Sequence, residues 1–552
     1  MSSFLTPRRR VFTLGLLAAA LVAVAVLALG GCGGGSTVKS TGQVPARTAP
    51  LQTIFEAQSE LFSNPGPTLD QLKRLGVDDV KVFMPWGYLA PDALSRSRPH
   101  FDASSPVAYP AGNWAPYDTI VRDAAARHIG LDLALEAPAP LWATGPGVPA
   151  GTAASFLGSW EPSAKEFGLF VTAVGARYSG HYTPPGASSP LPAVHFWSIW
   201  NEPNYGQQLG PQAIDNSSVE SSPATYRALL DAAWSALQAT GHAGNTVLIG
   251  EIAPRGQTGP GLPGNFSGMV PLQFIRALYC VDGNLHPLTG NAAALRGCPT
   301  STAASEAFRT DNPGLFDAAG FAFHPYPQGQ VPPNVPTAPD GLGANYADLP
   351  QLPALERTLD GALAAYGSSY RFPLYDTEFG YQTNPPEKAL RAISPAKAAY
   401  YENWAEYISW RDPRVVSWDQ YLLADPPPPS MFDTGIEFYN GAHKVPLYQA
   451  FRMPIYMPVT AAKSGQDLQV WGCVRPAHYA MLGPHEPQLA SIQFQSAAGQ
   501  SWKTVKRVLL TDAYGYFDTV ASFPSSGNVR ISWSYPHHGS EIHSRTVAIT
   551  IG

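Results

Sequence analysis

Ala193-Val194-His195-Phe196-Trp197-Ser198-Ile199-Trp200-Asn201-Glu202-Pro203-Asn204 decides the reading of this chain. An apolar-rich run without Gly or Pro reads as a strand, and a glutamate between Asn201 and Pro203 closes it. A second run, Phe372-Pro373-Leu374-Tyr375, leads in the same way into Asp376-Thr377-Glu378-Phe379-Gly380. Working outward, strand-like runs recur at Leu51–Ala57, Val80–Pro85, Gly130–Leu135, Val194–Trp200, Thr246–Gly250, Gly320–Phe323, Phe372–Thr377 and Val415–Tyr421. Helical patterns lie between them, among them Leu69–Leu75, Tyr117–His128, Pro223–Thr240 and Ser394–Trp410. Ser163-Ala164-Lys165-Glu166 has the form of a capping box and predicts a helix running to about Tyr178. Eight alternating units of this kind predict a (β/α)8 barrel over residues 51–455. Both glutamates end strands, so both belong at the C-terminal mouth.

Beyond Met457 the helical signal fades. Leu468–Val474, Ser491–Gln495, Val529–Trp533 and Thr546–Thr550 alternate over short spans, with turn residues between them. Residues 456–552 therefore predict a small all-β sandwich of immunoglobulin-like shape. At the other end, Arg8-Arg9-Arg10 precedes an apolar stretch from Val11 to Leu29, and Leu29-Gly30-Gly31-Cys32 has the form of a bacterial lipobox. Residues 1–31 read as a signal peptide, Cys32 as the lipidated residue, and residues 32–50 as a flexible Gly/Ser/Thr-rich tether. The expected location is the outer face of a bacterial membrane, or the medium.

Composition narrows the partners. Charged residues make up 14% of the 552, and Gly and Pro number 51 and 55, which suits a loop-rich exported protein. The net charge of −6 excludes a basic phosphate-binding surface, so no nucleic-acid partner is expected. Of the four cysteines, Cys280 and Cys298 can pair after export, while Cys473 reads as a buried strand residue. No His/Cys cluster has metal-binding spacing, and no cofactor or metal is expected.

Two glutamates at strand ends are what glycoside hydrolysis requires. One carboxyl donates a proton to the leaving oxygen, and the other attacks the anomeric carbon or activates water. At these residues the chain resembles the clan A glycoside hydrolases, which include cellulase-like and xylosidase-like barrels. Trp200-Asn201-Glu202-Pro203-Asn204 is similar to the clan's Asn-Glu-Pro signature after strand four, and Thr377-Glu378-Phe379-Gly380 to its strand-seven nucleophile motif. His324-Pro325-Tyr326 falls after strand six, where relatives often carry His-x-Tyr, and Trp418 falls in strand eight, where they place a tryptophan under the sugar. The resemblance implies Glu202 as acid/base, Glu378 as nucleophile, and Asn201 on the sugar 2-hydroxyl. It also implies Tyr326 on Glu378, His324 orienting the sugar or the acid/base, and Trp418 as a sugar platform. Trp86 and Trp142, which follow strands two and three, are further cleft candidates. The chain departs from the cellulase-like pattern at Lys81, where many relatives keep Arg, and strand three ends without a His.

The expectation is a retaining hydrolase of a β-linked oligo- or polysaccharide, acting as a monomer and touching the membrane only through its lipid. Two alternatives share the barrel: a non-catalytic glycan-binding lipoprotein, and a transglycosylase using the same two glutamates.

Overall fold

The computed structural model describes residues 50–552 apart from 337–341, 389–390, 430–431, 484, 500 and 538. The expected signal peptide, Cys32 and all but the last residue of the tether lie outside the described residues. Among the described residues, no helix is long and apolar enough to cross a membrane.

Eight parallel strands close into a barrel: β1 (Gln52–Glu56), β2 (Asp79–Pro85), β3 (Gly130–Glu136), β4 (Phe196–Ile199), β5 (Thr246–Ile252), β6 (Gly320–Phe323), β7 (Leu374–Asp376) and β8 (Val415–Tyr421). Each is followed by a main helix: α1 (Pro65–Leu75), α2 (Ala111–Arg127), α3 (Ala164–Arg177), α4 (Ser222–Ala239), α5 (Pro271–Leu278), α6 (Leu352–Ala364), α7 (Pro395–Arg411) and α8 (Val445–Arg452). The chain is thus a (β/α)8 barrel, with strands where the sequence pattern puts them. The Ser163 hydroxyl caps α3 by accepting from the Glu166 N–H, and Ser394 caps α7 at Lys397. Glu166 does not complete the reciprocal half of a capping box, because its carboxylate pairs with Arg98 instead.

The register fixes what fills the barrel. In a parallel pair, partnered residues share a face. Ile54, Phe196, Leu248 and Ala322, with Tyr375 packed against them, form an apolar layer near the N-terminal end of the barrel. One layer higher the interior turns polar. Glu56 pairs with Lys81 and Lys81 with Asp132, and Ser198, Glu251 and Thr377 bond among themselves and to this group. An apolar layer closes the barrel and a charged layer lies directly beneath its mouth.

The remaining strands form two sheets. One has the order β10 (Ala461–Ala462), β17 (Val547–Ile551), β15 (Gly527–Ser534), β12 (Gln488–Ser496), β13 (Lys503–Leu510), with β16 (Glu541–His543) beside β15. The other has the order β14 (Tyr516–Ser522), β11 (Asp467–Cys473), β9 (Ile455–Tyr456). They share a core that includes Val470, Ile492, Phe494, Phe517, Ile531 and Ile549. The sequence predicted no helix here, yet α9 (Ala477–Leu482) follows β11 and carries Tyr479, whose hydroxyl donates to the Val77 carbonyl below the barrel. Six residues are too short a stretch for periodicity to register. The sheets are clamped to the barrel by a buried ion pair: Arg475 contacts Glu406 of α7 at 2.8 Å, and Tyr516 donates to the same carboxylate at 2.7 Å.

Cys280 and Cys298 form a disulfide, with Cα atoms 5.6 Å apart, within the long connection from β5 to β6. Cys473 is free and buried at the end of β11.

Candidate active site

Beyond Ile199 the chain must turn sharply out of the barrel, and it does so through two non-glycine residues of left-handed backbone, Trp200 at φ 65° and Glu202 at φ 42°. Such a conformation costs on the order of 1–3 kcal/mol per residue and persists only where surroundings hold it. Here they do. The Glu202 N–H donates to the Glu251 carbonyl at 2.9 Å, and the Asn204 side chain donates to the Ala253 and Met269 carbonyls while accepting from the Ala253 N–H. From α4, the Tyr226 hydroxyl donates to the Ile199 carbonyl and accepts from the Gly250 N–H, tying the ends of β4 and β5 together.

Glu202, His324 and Glu378 offer one donor atom each within 4.8 Å of one another. They line or underlie a cavity of about 640 Å3 at the C-terminal mouth, whose wall includes Glu136, Asn201, Tyr205, Tyr326 and Tyr421. Glu378 is the deeper carboxylate, its side chain 8% exposed against 18% for Glu202. Three donors face it: Tyr326 Oη at 3.2 Å, Lys81 Nζ at 3.4 Å and His324 Nδ1 at 3.6 Å. Burial raises the Glu378 pKa, the charges on His324 and Lys81 pull it back, and Glu202 adds to the rise. Asn201 lines the cavity with its Oδ1 buried and without a partner among the described residues, so a ligand hydroxyl there would meet a vacant acceptor.

His324 is fully buried and bonds to two carboxylates, Nδ1 to Glu202 and Nε2 to Glu251, each at 3.0 Å. Burial alone would lower its pKa, but the charge of Glu378 and the bonds to Glu202 and Glu251 win and raise it to about 9. It is therefore an imidazolium at neutral pH. Each ring nitrogen is thus engaged by a carboxylate.

Glu251 is the residue that the sequence reading missed. Lys81 at 2.8 Å, Ser198 at 2.7 Å, Thr377 at 3.1 Å and His324 all converge on its carboxylate. Burial opposes its charge, yet Lys81 and His324 hold its pKa far below the usual carboxylate range. The reading ended the fifth strand at Gly250. In the structure β5 continues, its register against β6 shifts between Ile249 and Ile252, and Gly250 (φ 98°) and Glu251 (φ 47°) form the irregularity. A bulge of this kind re-aims a side chain, and alternation counted along the strand does not reveal it.

Three of the expected sugar contacts are corrected. Trp418 pairs with Thr53 on the outer face of the barrel, packs on Phe379 and is buried among helices. Asp419, its neighbour on β8, pairs with Ile54 and so takes the inner face, and Tyr421 two residues on reaches the cavity wall. Trp86 is fully buried against Trp142, Phe167 and Phe170. Trp142 packs on Phe101 and donates its indole N–H to the Pro91 carbonyl. Both hold loops together and neither lines the cavity. His324, expected to orient the sugar or the acid/base, lies beneath the carboxylates with its Nδ1 on Glu202.

No protein-family model matches the chain, and neither does any curated protein. Solved structures with some likeness include a family 39 glycoside hydrolase from Bacteroides cellulosilyticus, 13% identical with a TM-score of 0.42 over 86% of this chain and 79% of that one. A glucosidase from Croceicoccus marinus is 12% identical, with a TM-score of 0.43 over 91% and 96% of the two chains. An endo-β-1,4-mannanase from Thermotoga petrophila is 10% identical, with a TM-score of 0.39 over 91% and 98%. At this distance the likeness assigns nothing, and the barrel stands on its own strand order.

Proposed function

We propose that the chain is a retaining glycosidase of a β-linked glycan, with Glu378 as nucleophile and Glu202 as general acid and base. The observation that carries this reading is the proximity of donor atoms on Glu202, Glu378 and His324, within 4.8 Å at the cavity floor. Retention by double displacement needs carboxyls about 5–5.5 Å apart, whereas inversion leaves about 6.5–9.5 Å for a water. Glu378 attacks the anomeric carbon, Glu202 gives its proton to the leaving oxygen, and water deprotonated by Glu202 then releases the glycosyl-enzyme. Lys81 and Tyr326 favour the ionised form of Glu378. His324 orients the Glu202 carboxylate from below, and Glu251 keeps His324 and Lys81 charged and in place. Asn201 receives the 2-hydroxyl. Anchoring through a lipidated Cys32 belongs to the same proposal.

The test is a screen of chromogenic β-glycosides, followed by azide rescue. Glu378→Ala should abolish turnover. Glu202→Ala should still release an activated phenol but stall at deglycosylation, and azide should restore turnover with a β-glycosyl azide as product. A β-glycosyl azide from Glu378→Ala together with an α-glycosyl azide from Glu202→Ala would reverse the two roles.

A further inference from the structure

Several arginines of this molecule are neutralised by a carboxylate. Arg98, Arg127, Arg177, Arg296, Arg414 and Arg475 each meet a carboxylate within 4.0 Å. Two further guanidinia stand on the cavity wall: Arg255, on the segment after β5, and Arg391, on the segment after β7. Neither has a carboxylate partner among the described residues. Arg255 is half-buried, and its charge acts on the Tyr205 hydroxyl, whose pKa burial and Glu202 raise. Arg391 is exposed, and its guanidinium comes within 3.2 Å of where a Cβ on Gly329 would stand. Gly329, with φ 66°, lets the guanidinium pass close to the backbone.

The acids of the wall have other partners or are held back by burial: Glu378 is faced by Lys81 and His324, Glu202 by His324, and burial raises the Glu136 pKa. Two planar forks without carboxylate partners among the described residues match a carboxylate or sulfate. Arg255 stands on the side of Glu202, where the leaving group departs: its carbonyl accepts from the Asn204 side chain, and the Tyr205 N–H donates to the Glu202 carbonyl.

We infer that the substrate is an anionic glycan, and that Arg255, on its leaving-group side, and Arg391, elsewhere on the cavity wall, engage its carboxylate or sulfate groups. This rests on the glycosidase reading for the direction of the leaving group.

Binding to the full-length Glu378→Gln protein, measured by calorimetry, tests it without turnover. The probes are uronate-containing oligosaccharides from glucuronoxylan and hyaluronan, their carboxyl-reduced counterparts, and sulfated chondroitin oligosaccharides. The anionic member of at least one pair should bind roughly tenfold tighter or more, the worth of one or two charge-assisted bonds. That preference should shrink as salt rises from about 0.05 to about 0.5 M. Arg255→Gln combined with Arg391→Gln should erase the preference while leaving any binding of the neutral counterparts unchanged. A preference for uronates alone, or for sulfated chains alone, identifies the group. Equal binding of acidic and reduced forms, or no binding of any acidic probe, overturns the inference. Failure of the glycosidase reading would show separately, as a wild-type protein that binds glycans but cleaves none.

Discussion

His324 shows how one side chain links the site to the stability of the whole barrel. Its folded pKa of about 9, against 6.5 for the free group, means that the native state holds a proton the unfolded chain would release. The resulting stabilisation is complete below about pH 6.5 and is lost as pH rises through about 9, on the order of 3 kcal/mol in all. Asp79 and Glu402, buried acids raised to about 8, act in the same direction. The diagnostic is therefore a difference between proteins. Urea unfolding of the wild type should lose more stability between pH 7 and pH 10 than unfolding of His324→Gln. Equal losses in the two proteins would mean that His324 is neutral in the fold.

Among elements, the contact between α7 and β11 holds the two parts of the chain together. Arg475 and Glu406 are both almost wholly buried, and the Arg475 guanidinium also donates to the Phe451 carbonyl and lies 4.5 Å from that residue's ring centroid. Beside them Trp471 packs on Tyr407 and Trp410 of α7. Removing one partner of a buried ion pair leaves the other charge uncompensated and costs about 3–5 kcal/mol. Arg475→Ala should therefore lower the urea unfolding free energy by about that much, far more than an exposed pair would cost. A loss under about 1 kcal/mol would show that the pair carries no such burden. The disulfide acts on a different element, the connection after α5. Closing a loop of this length is worth roughly 3 kcal/mol in the chain-entropy view.

For the molecule as a whole, the remaining prediction concerns where it resides. Cys32 in Leu29-Gly30-Gly31-Cys32 is expected to carry the lipid, with the barrel tethered behind it. Cys32→Ser should move the protein from the membrane pellet to the soluble fraction in a lipoprotein-processing bacterial host. A variant that stays in the pellet would instead favour an uncleaved apolar anchor.

Much of this architecture was legible in the chain. The eight strands, the helices between them with the Ser163 cap, and the placing of Glu202 and Glu378 at one mouth follow from local periodicity and chain order, and the pairing of Cys280 with Cys298 from their nearness in one connection of an exported chain. These signals are short-range, and barrel closure brings every C-terminal strand end to the same face. Only the tertiary structure placed Glu251 among Lys81, His324 and Thr377, because a register shift in β5 resets the alternation that sequence counting assumes. It also turned Trp418 outward: a side chain's face depends on its partner across the sheet, here Thr53, and not on residue type. The docking of Arg475 on Glu406 was equally invisible, since the two residues meet through packing alone, with nothing in their neighbouring sequence to announce it.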